Sequence, residues 1–173
     1  MKPVWVALAC GLIWAGAGCS QASAERKVDG LTGVVFNYSD QAVAEVRVDG
    51  DLAGTGYEAV PPGGVTGGGS SCCMAMDPTR DTVRVTVVPA LGEAYEVQAR
   101  VEQPWPKGAS TVIVHMLPGR KVVIETTLGY GIAAREDLME TQLKALGIPM
   151  EVDHTLGMLS GRHNYAEYME PAR

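Results

Sequence analysis

The chain has 173 residues, enough for one domain, and its 46% hydrophobic and 20% charged residues are ordinary for a globular protein. Its formal net charge of −6 argues against nucleic acid and against anionic membrane surfaces as electrostatic partners. The 21 glycines and 10 prolines are many for a helical protein and typical of a β domain with many turns.

Residues 1–18 have the pattern of an export signal. A short positive start, Met1-Lys2, precedes an apolar run from Val4 to Ala15 that is too short to span a bilayer comfortably. The next four residues, Gly16 to Cys19, resemble the lipobox of bacterial lipoproteins. That resemblance implies cleavage before Cys19, lipidation of its thiol and new amino group, and an anchor of several acyl chains.

Two destinations follow from the N-terminal sequence. Since Ser20 rather than Asp follows the cysteine, the resemblance to lipoproteins implies sorting to the outer membrane, facing the periplasm. The alternative is cleavage after Ala22-Ser23-Ala24, which would leave a soluble periplasmic protein beginning at Glu25. If the chain is cleaved before Cys19, residues 19–30 form a polar tether between the lipid anchor and the domain.

The next region, residues 31–128, predicts an antiparallel β-sandwich, with an immunoglobulin-like arrangement as one version. Asn37 to Gln41 has turn chemistry, because Asn, Ser and Asp side chains bond to their own backbone. Asp49-Gly50 and Pro118-Gly119 predict tight turns between strands. The segments that alternate or otherwise suit strands are 31–38, 42–48, 51–59, 81–88, 94–102, 110–117 and 120–127.

A glycine-rich stretch interrupts these strands. Glycine loses more backbone freedom on folding than other residues, so we expect Pro61 to Ser71 to be a loop that leads into a strand near Cys72. Triple glycine suggests a phosphate cradle only where a Lys and a Ser or Thr close it before a helix, and here a strand is expected instead.

Cys72 and Cys73 are the only cysteines left once the signal is removed and Cys19 is acylated or cleaved away. Their one intramolecular disulfide would therefore be the vicinal one, in an oxidising compartment. Two thiols on opposite faces of a strand are an alternative, as are an intermolecular bond and a metal role.

The last region, residues 129–173, changes character. Ile132 to Leu146 predicts a helix with Leu138, Met139, Leu143 and Leu146 on one face, and Gly147 followed by Pro149 predicts its end. Residues 151–173 form a polar tail of unassigned structure.

No arrangement of residues in the sequence predicts catalysis, a metal or a cofactor. No G-x-S-x-G elbow occurs, and His115 is expected on a strand face. The residues of the right types for a serine hydrolase are Ser70, Ser71, Ser160, His115, His154 and His163. A metal set could be drawn from Asp153, His154, His163 and Glu167, but exposed tail residues are the better interpretation.

Binding to another protein is the remaining role for which residues can be named, because Trp and Tyr are enriched at interfaces. Packing in the core is the alternative for the aromatic residues, Tyr130 included. The predicted contact residues are Tyr57, Gly67, Gly68, Gly69, Ser70 and Trp105.

Three motifs together resemble the bacterial lipoproteins grouped as domain of unknown function 3304. They are Asn37-Tyr38-Ser39-Asp40, then Val46-x-Val48-Asp49-Gly50, then Gly67-Gly68-Gly69 with Cys72-Cys73, and Pro104 to Val122 is similar to a further block of that family. The resemblance spans roughly residues 33–124.

The resemblance implies a function. Such lipoproteins are paired with phospholipase effectors of the type VI secretion system and are taken to be periplasmic immunity proteins. We therefore expect a non-enzymatic protein without a cofactor that binds and blocks a secreted lipase. The alternatives are a structural envelope lipoprotein and a thiol redox protein that uses Cys72 and Cys73.

Overall fold

The computed structural model describes residues 27–129, 131–149 and 159–160. Within these residues the protein is mainly β, with one helix near the C-terminus. The strands are β1 Val28–Asn37, β2 Val43–Val48, β3 Asp51–Tyr57, β4 Thr66–Met76, β5 Thr82–Pro89, β6 Tyr95–Val101, β7 Thr111–Leu117, β8 Lys121–Thr127, β9 Ala134–Arg135 and β10 Leu159–Ser160, and the helix α1 is Glu136–Leu146.

Eight of the strands form a single sheet in the order β3-β2-β5-β6-β8-β7-β1-β4. The sheet curls until its two edge strands, β3 and β4, lie side by side, and the backbone N–H of Ala75 donates to Asp51 Oδ2 at 2.9 Å across the gap. The structure is thus nearly closed and barrel-like, and the predicted sandwich of two sheets is not confirmed. The sheet is also mixed rather than antiparallel, since β1 pairs with β7, and β6 with β8, in parallel.

Alternation in the sequence predicted most strands correctly. In β5, Val83, Val85 and Val87 are buried in the main core inside the curled sheet, and β5 and β6 form the expected antiparallel pair. The predicted turn at Asp49-Gly50 is also present, with φ of 49° and 100° at the two residues.

The prediction of a loop through the glycine-rich stretch was wrong, because β4 begins at Thr66 and includes all three consecutive glycines. The strand lies at a sheet edge, where glycine is tolerated, and its register with β1 shifts at several points. Gly67 has φ of 127°, and a Cβ there would collide with the carbonyl oxygen of Val35. Glycine therefore permits close approach of the two backbones at this position.

The helix begins later than predicted, because Ala134 and Arg135 form β9, which pairs with β10 in parallel. It ends as predicted: Gly147 adopts a left-handed conformation with φ of 68° and donates to the carbonyls of Leu143 and Lys144. Met139 and Leu143 are buried, whereas Leu146 is 56% exposed.

A second, smaller core lies on the outer face of β1 and β7. Because this layer covers their outer face while the main core covers the other, both strands are buried over most of their length on both sides. Its buried members are Val34, Phe36, Tyr38, Ile113, Ala134 and Met139.

The pairings fix which connections share an end of the sheet. We call the end where β1 finishes the loop end. It carries the connections 38–42, 58–65, 90–94 and 118–120. The opposite end carries 49–50, 77–81 and 102–110.

Candidate functional site

The turn after β1 organises the loop end. The backbone N–H of Ser39 donates to Asn37 Oδ1 at 3.1 Å, which is the self-bonding turn that the sequence predicted. The Asn37 side chain also reaches further than the sequence indicated. Its Nδ2 donates to the carbonyl of Gln41 at 2.9 Å and to that of Glu58 at 2.8 Å. One buried amide therefore ties the 38–42 turn to the 58–65 loop.

The 58–65 loop is held at three further points. The N–H of Val60 donates to the Ser39 carbonyl at 2.9 Å, and the N–H of Gly64 donates to the Pro61 carbonyl at 2.9 Å. Gly63, with φ of 80°, approaches Leu143 of α1 so closely that a Cβ would not fit without a shift. Pro61 and Pro62 at the loop tip are nevertheless exposed. The loop is thus preorganised while presenting apolar surface.

A buried chain of hydrogen bonds begins at the next residue of the same turn. The Tyr38 hydroxyl accepts from the backbone N–H of Arg135 at 2.8 Å and lies 2.9 Å from His115 Nδ1. Because this hydroxyl already accepts from Arg135, its own proton is directed at Nδ1, and a ring that carries a proton on Nε2 fits both of its contacts. That nitrogen lies 3.1 Å from Glu125 Oε2 and donates to it.

Arg135 closes this network from the other side. Its Nη1 donates to Glu125 at 3.2 Å and to Glu102 at 2.9 Å. Its Nε donates to Asp137 Oδ1 at 2.7 Å, and its Nη2 donates to Asp137 Oδ2 at 2.6 Å. The whole residue is 2% exposed. Burial acts to lower the pKa of Arg135, but the hydrogen bond to Asp137 and the charges of the three carboxylates raise it above its ordinary value, so the charge is retained. Three carboxylates thus compensate for one buried guanidinium, which is the condition for placing a charge inside a protein.

The electrostatics agree with this geometry. Burial raises the pKa of Tyr38 well above its usual range, so the hydroxyl stays protonated. Burial acts to raise the pKa of Glu125, but the hydrogen bond and the charge of His115, followed by the charge of Arg135, outweigh it and hold the pKa below its ordinary value. The hydrogen bond from Arg135 likewise lowers the pKa of Asp137.

This Tyr–His–Glu series has the residue types of a proton relay, and its contacts link distant parts of the fold. Tyr38 and His115 are each 0% exposed, so in this structure a substrate does not reach them. What the network joins is β1, β7, β8 and the start of α1. Sequence reasoning missed Glu125 and Arg135, and the only signal was charge within apolar segments, at Glu125 after Ile124 and at Arg135 after Ala134.

The structure does not gather the predicted contact residues on one surface. Tyr57 is 6% exposed and belongs to the main core. Trp105 lies in the 102–110 connection, at the opposite end from the 58–65 loop, and packs half-buried against the same core. Gly67, Gly69 and Ser70 are exposed on β4 near the loop end, with Gly68 half-buried.

Cys72 and Cys73 lie further along β4 and are both exposed. The structure joins them in a disulfide, with Cα atoms 3.2 Å apart and a cis peptide bond between them. Their sulfurs therefore belong to the surface of the edge strand and not to the core.

An apolar groove lies between α1 and the turn after β7. It encloses a cavity of about 270 Å³. Gln142 contributes an unusual feature, because its side-chain oxygen is buried without a hydrogen-bond partner among the described residues. The groove is lined by Leu117, Pro118, Lys121, Leu138, Thr141, Gln142, Ala145 and Leu146.

The remaining candidates can be placed only in part. Among the described residues, no group of three or more His, Cys, Asp or Glu side chains could hold a metal ion. The residues Cys19, Tyr130, Asp153, His154, His163 and Glu167 lie outside that part of the chain. No helix in the described ranges is both long and apolar enough to cross a membrane.

Comparison with known proteins adds no relative. No protein family, no curated protein and no solved structure matches the chain.

Proposed function

We propose that the protein is an exported, lipid-anchored binding protein that occludes a cognate phospholipase effector of the type VI secretion system. The family assignment is supported by the resemblance of the motifs Asn37–Asp40 and Gly67–Gly69 with Cys72-Cys73. The anchor is supported by the lipobox-like sequence that ends at Cys19.

The observation that carries the binding role is the preorganised loop end. A loop that is already ordered loses little conformational entropy when it binds a partner, so more of the contact energy becomes affinity. The 58–65 loop meets this condition, because Asn37, Ser39 and Leu143 hold it while Pro61 and Pro62 remain exposed.

The 90–94 connection lies at the same end, where the Ala90 N–H donates to the Ala42 carbonyl of the 38–42 turn at 2.9 Å, and it carries an exposed apolar side chain. Leu91 is 89% exposed, and a leucine with so much free surface can be buried by a partner. The partner contact therefore centres on Pro61, Pro62 and Leu91, with the exposed start of β4 beside them. The mechanism is steric, since these loops would cover the effector's cleft.

The test is co-purification of the tagged protein with the lipase-like product of a neighbouring gene, followed by an assay of lipase activity. Stoichiometric capture with loss of activity supports the proposal. Leu91→Asp should weaken capture, whereas Lys107→Asp, at an exposed position on the opposite end, should leave it unchanged. Equal effects of the two substitutions, or no capture by the unaltered protein, would refute this role for the loop end.

The anchor has a separate test. Intact-mass analysis of the protein extracted from membranes should give a chain that begins at Cys19 with the added mass of acyl groups. A mature N-terminus at Glu25 would refute lipidation and would leave the binding proposal to be judged by capture alone.

A further inference from the structure

The disulfide between Cys72 and Cys73 joins neighbours in the sequence, so it contributes little to the stability of the fold. A disulfide stabilises mainly by closing a loop in the unfolded chain, and the effect grows with the number of residues in that loop. Here the sequence separation is 1, and the bond ties no distant segments together. Stability of the fold therefore does not explain this pair, and its position indicates a different role.

The pair occupies a β-bulge, because the register between β1 and β4 shifts between Leu31 and Gly33. Over that interval β4 has two residues, Cys72 and Cys73, opposite the single Thr32 of β1. In a regular strand neighbouring side chains point to opposite faces, but here both residues are exposed. Bulges redirect side chains and are frequent next to functional sites. The fold thus presents both cysteines to solvent.

The residues of β4 that precede the pair are small and leave space for another molecule. Gly69 and Ser70 are exposed, and a Cβ at Gly69 would have no neighbour within 4 Å among the described residues. Thiol–disulfide exchange begins when a thiolate attacks one sulfur of the disulfide, so the rate depends on access to that sulfur. Exposed disulfides are accordingly the ones that are reduced most readily. The position of the pair therefore suits exchange.

We propose that Cys72 and Cys73 form a thiol–disulfide exchange site whose substrate is a protein dithiol. A thiolate of the dithiol attacks one of the two sulfurs, a mixed disulfide forms, and the other cysteine leaves as a thiolate that takes up a proton. The second thiolate of the dithiol then attacks the mixed disulfide and releases the remaining cysteine, which is protonated as well. Two electrons and two protons pass from the dithiol to the pair. The site is independent of the proposed partner at the loop end.

A trapping experiment tests the substrate class. The full chain with its disulfide intact is mixed with reduced thioredoxin in which serine replaces the second cysteine of the C-x-x-C motif, because this probe can attack a disulfide but cannot release the product. We expect a mixed disulfide that peptide mass spectrometry maps to Cys72 or Cys73 and that dithiothreitol cleaves. The control is the double variant Cys72→Ser, Cys73→Ser, which should give no adduct at these positions. Absence of the adduct with the unaltered chain would overturn the proposal.

Reduction of the folded chain tests the access on which the proposal depends. Dithiothreitol should reduce the pair in native buffer within about tenfold of the rate in denaturing urea, because exposed residues need no unfolding to react. Alkylation of the free thiols followed by peptide mass spectrometry measures both rates. The reduced chain should keep the urea midpoint of the oxidised chain, since the bond closes no long loop.

Three results of this second experiment would overturn the proposal. The first is a native rate about 100-fold or more below the rate in urea, which would mean that the pair reacts only after the chain opens. The second is a lower urea midpoint after reduction, which would give the bond a structural role. The third is free thiols at both positions in the protein as it is isolated.

Discussion

The backbone N–H of Arg135 donates to the hydroxyl of Tyr38 over 2.8 Å, across 97 positions of the sequence. This bond connects the turn at the loop end with the residue from which α1 starts. Because the same hydroxyl also lies 2.9 Å from His115 Nδ1, one oxygen atom links the loop-end turn to the start of α1 and to the buried histidine. The bond thus couples the ordering of the helix to the ordering of the sheet.

Tyr38→Phe should therefore destabilise the protein by about 2–4 kcal/mol, since it leaves the Arg135 N–H and His115 Nδ1 buried without a partner. Urea unfolding measures the change. Tyr95→Phe is the matched control, because the Tyr95 hydroxyl is only partly buried and makes one bond of 3.2 Å to Gln41. Its removal should cost less than about 1 kcal/mol. Similar losses for both substitutions would contradict the central role of Tyr38.

The same network makes stability depend on acid. The pKa of Glu125 and that of Asp137 are held below their ordinary values in the folded state. A lowered folded pKa contributes stability that is present above the unfolded pKa and is lost as the pH falls through the folded one. The free energy of unfolding should thus fall as the pH drops below about 4.5.

Glu125→Gln should flatten that dependence on pH and should lower stability near neutral pH by about 2 kcal/mol, because a charged hydrogen-bond partner of Arg135 is lost. Urea unfolding curves recorded at about one-unit steps between roughly pH 3 and 7 give the free energy of unfolding near neutral pH and its dependence on pH. Glu93→Gln, at an exposed position on the 90–94 connection, is the control. If the control flattens the pH dependence equally, Glu125 is not its source.

The sequence predicted the parts of this fold that local patterns determine. Alternating valines mark β5 because one face of that strand meets the core, and Gly147 marks the end of α1 because a left-handed residue is needed there. The sheet order is not local. Parallel pairing of β1 with β7 joins residues about 80 positions apart, and the residue pattern within either strand does not predict which strand it pairs with.

In the candidate site, too, local features could be predicted from the sequence and long-range contacts could not. Asn37 and Ser39 could be assigned to a turn from their side-chain chemistry, but not to the support of the 58–65 loop, because Glu58 is distant in sequence. Arg135 was included in the predicted helix, since nothing in its surroundings indicated that three carboxylates would meet it. The glycines of β4 were misjudged because their intrinsic preference was weighed without the close approach of β1.

The support of the 58–65 loop by Asn37 leads to a prediction about loop order. Asn37→Ala removes both donations of its amide and the acceptor for Ser39, so the loop should become open to proteolysis and stability should fall by about 2 kcal/mol. Limited proteolysis with mass spectrometry locates the cut. Asp40→Ala, at an exposed position in the same turn, should leave the digestion pattern unchanged. Protection of 58–65 in Asn37→Ala would show that the loop is held by other contacts.

Two glycines of β4 provide the last test, which concerns how the strand fits against β1. Gly67→Ala should destabilise the protein by about 1–3 kcal/mol, since φ of 127° strains any other residue and the new methyl group meets the Val35 carbonyl. Gly69→Ala, two positions along the same strand, has open space around its Cβ and should change stability by less than about 0.5 kcal/mol. Urea unfolding of the pair measures the difference. A neutral Gly67→Ala would mean that β4 does not approach β1 as closely as the structure has it, and the exposed start of β4 would then have to be placed differently at the loop end.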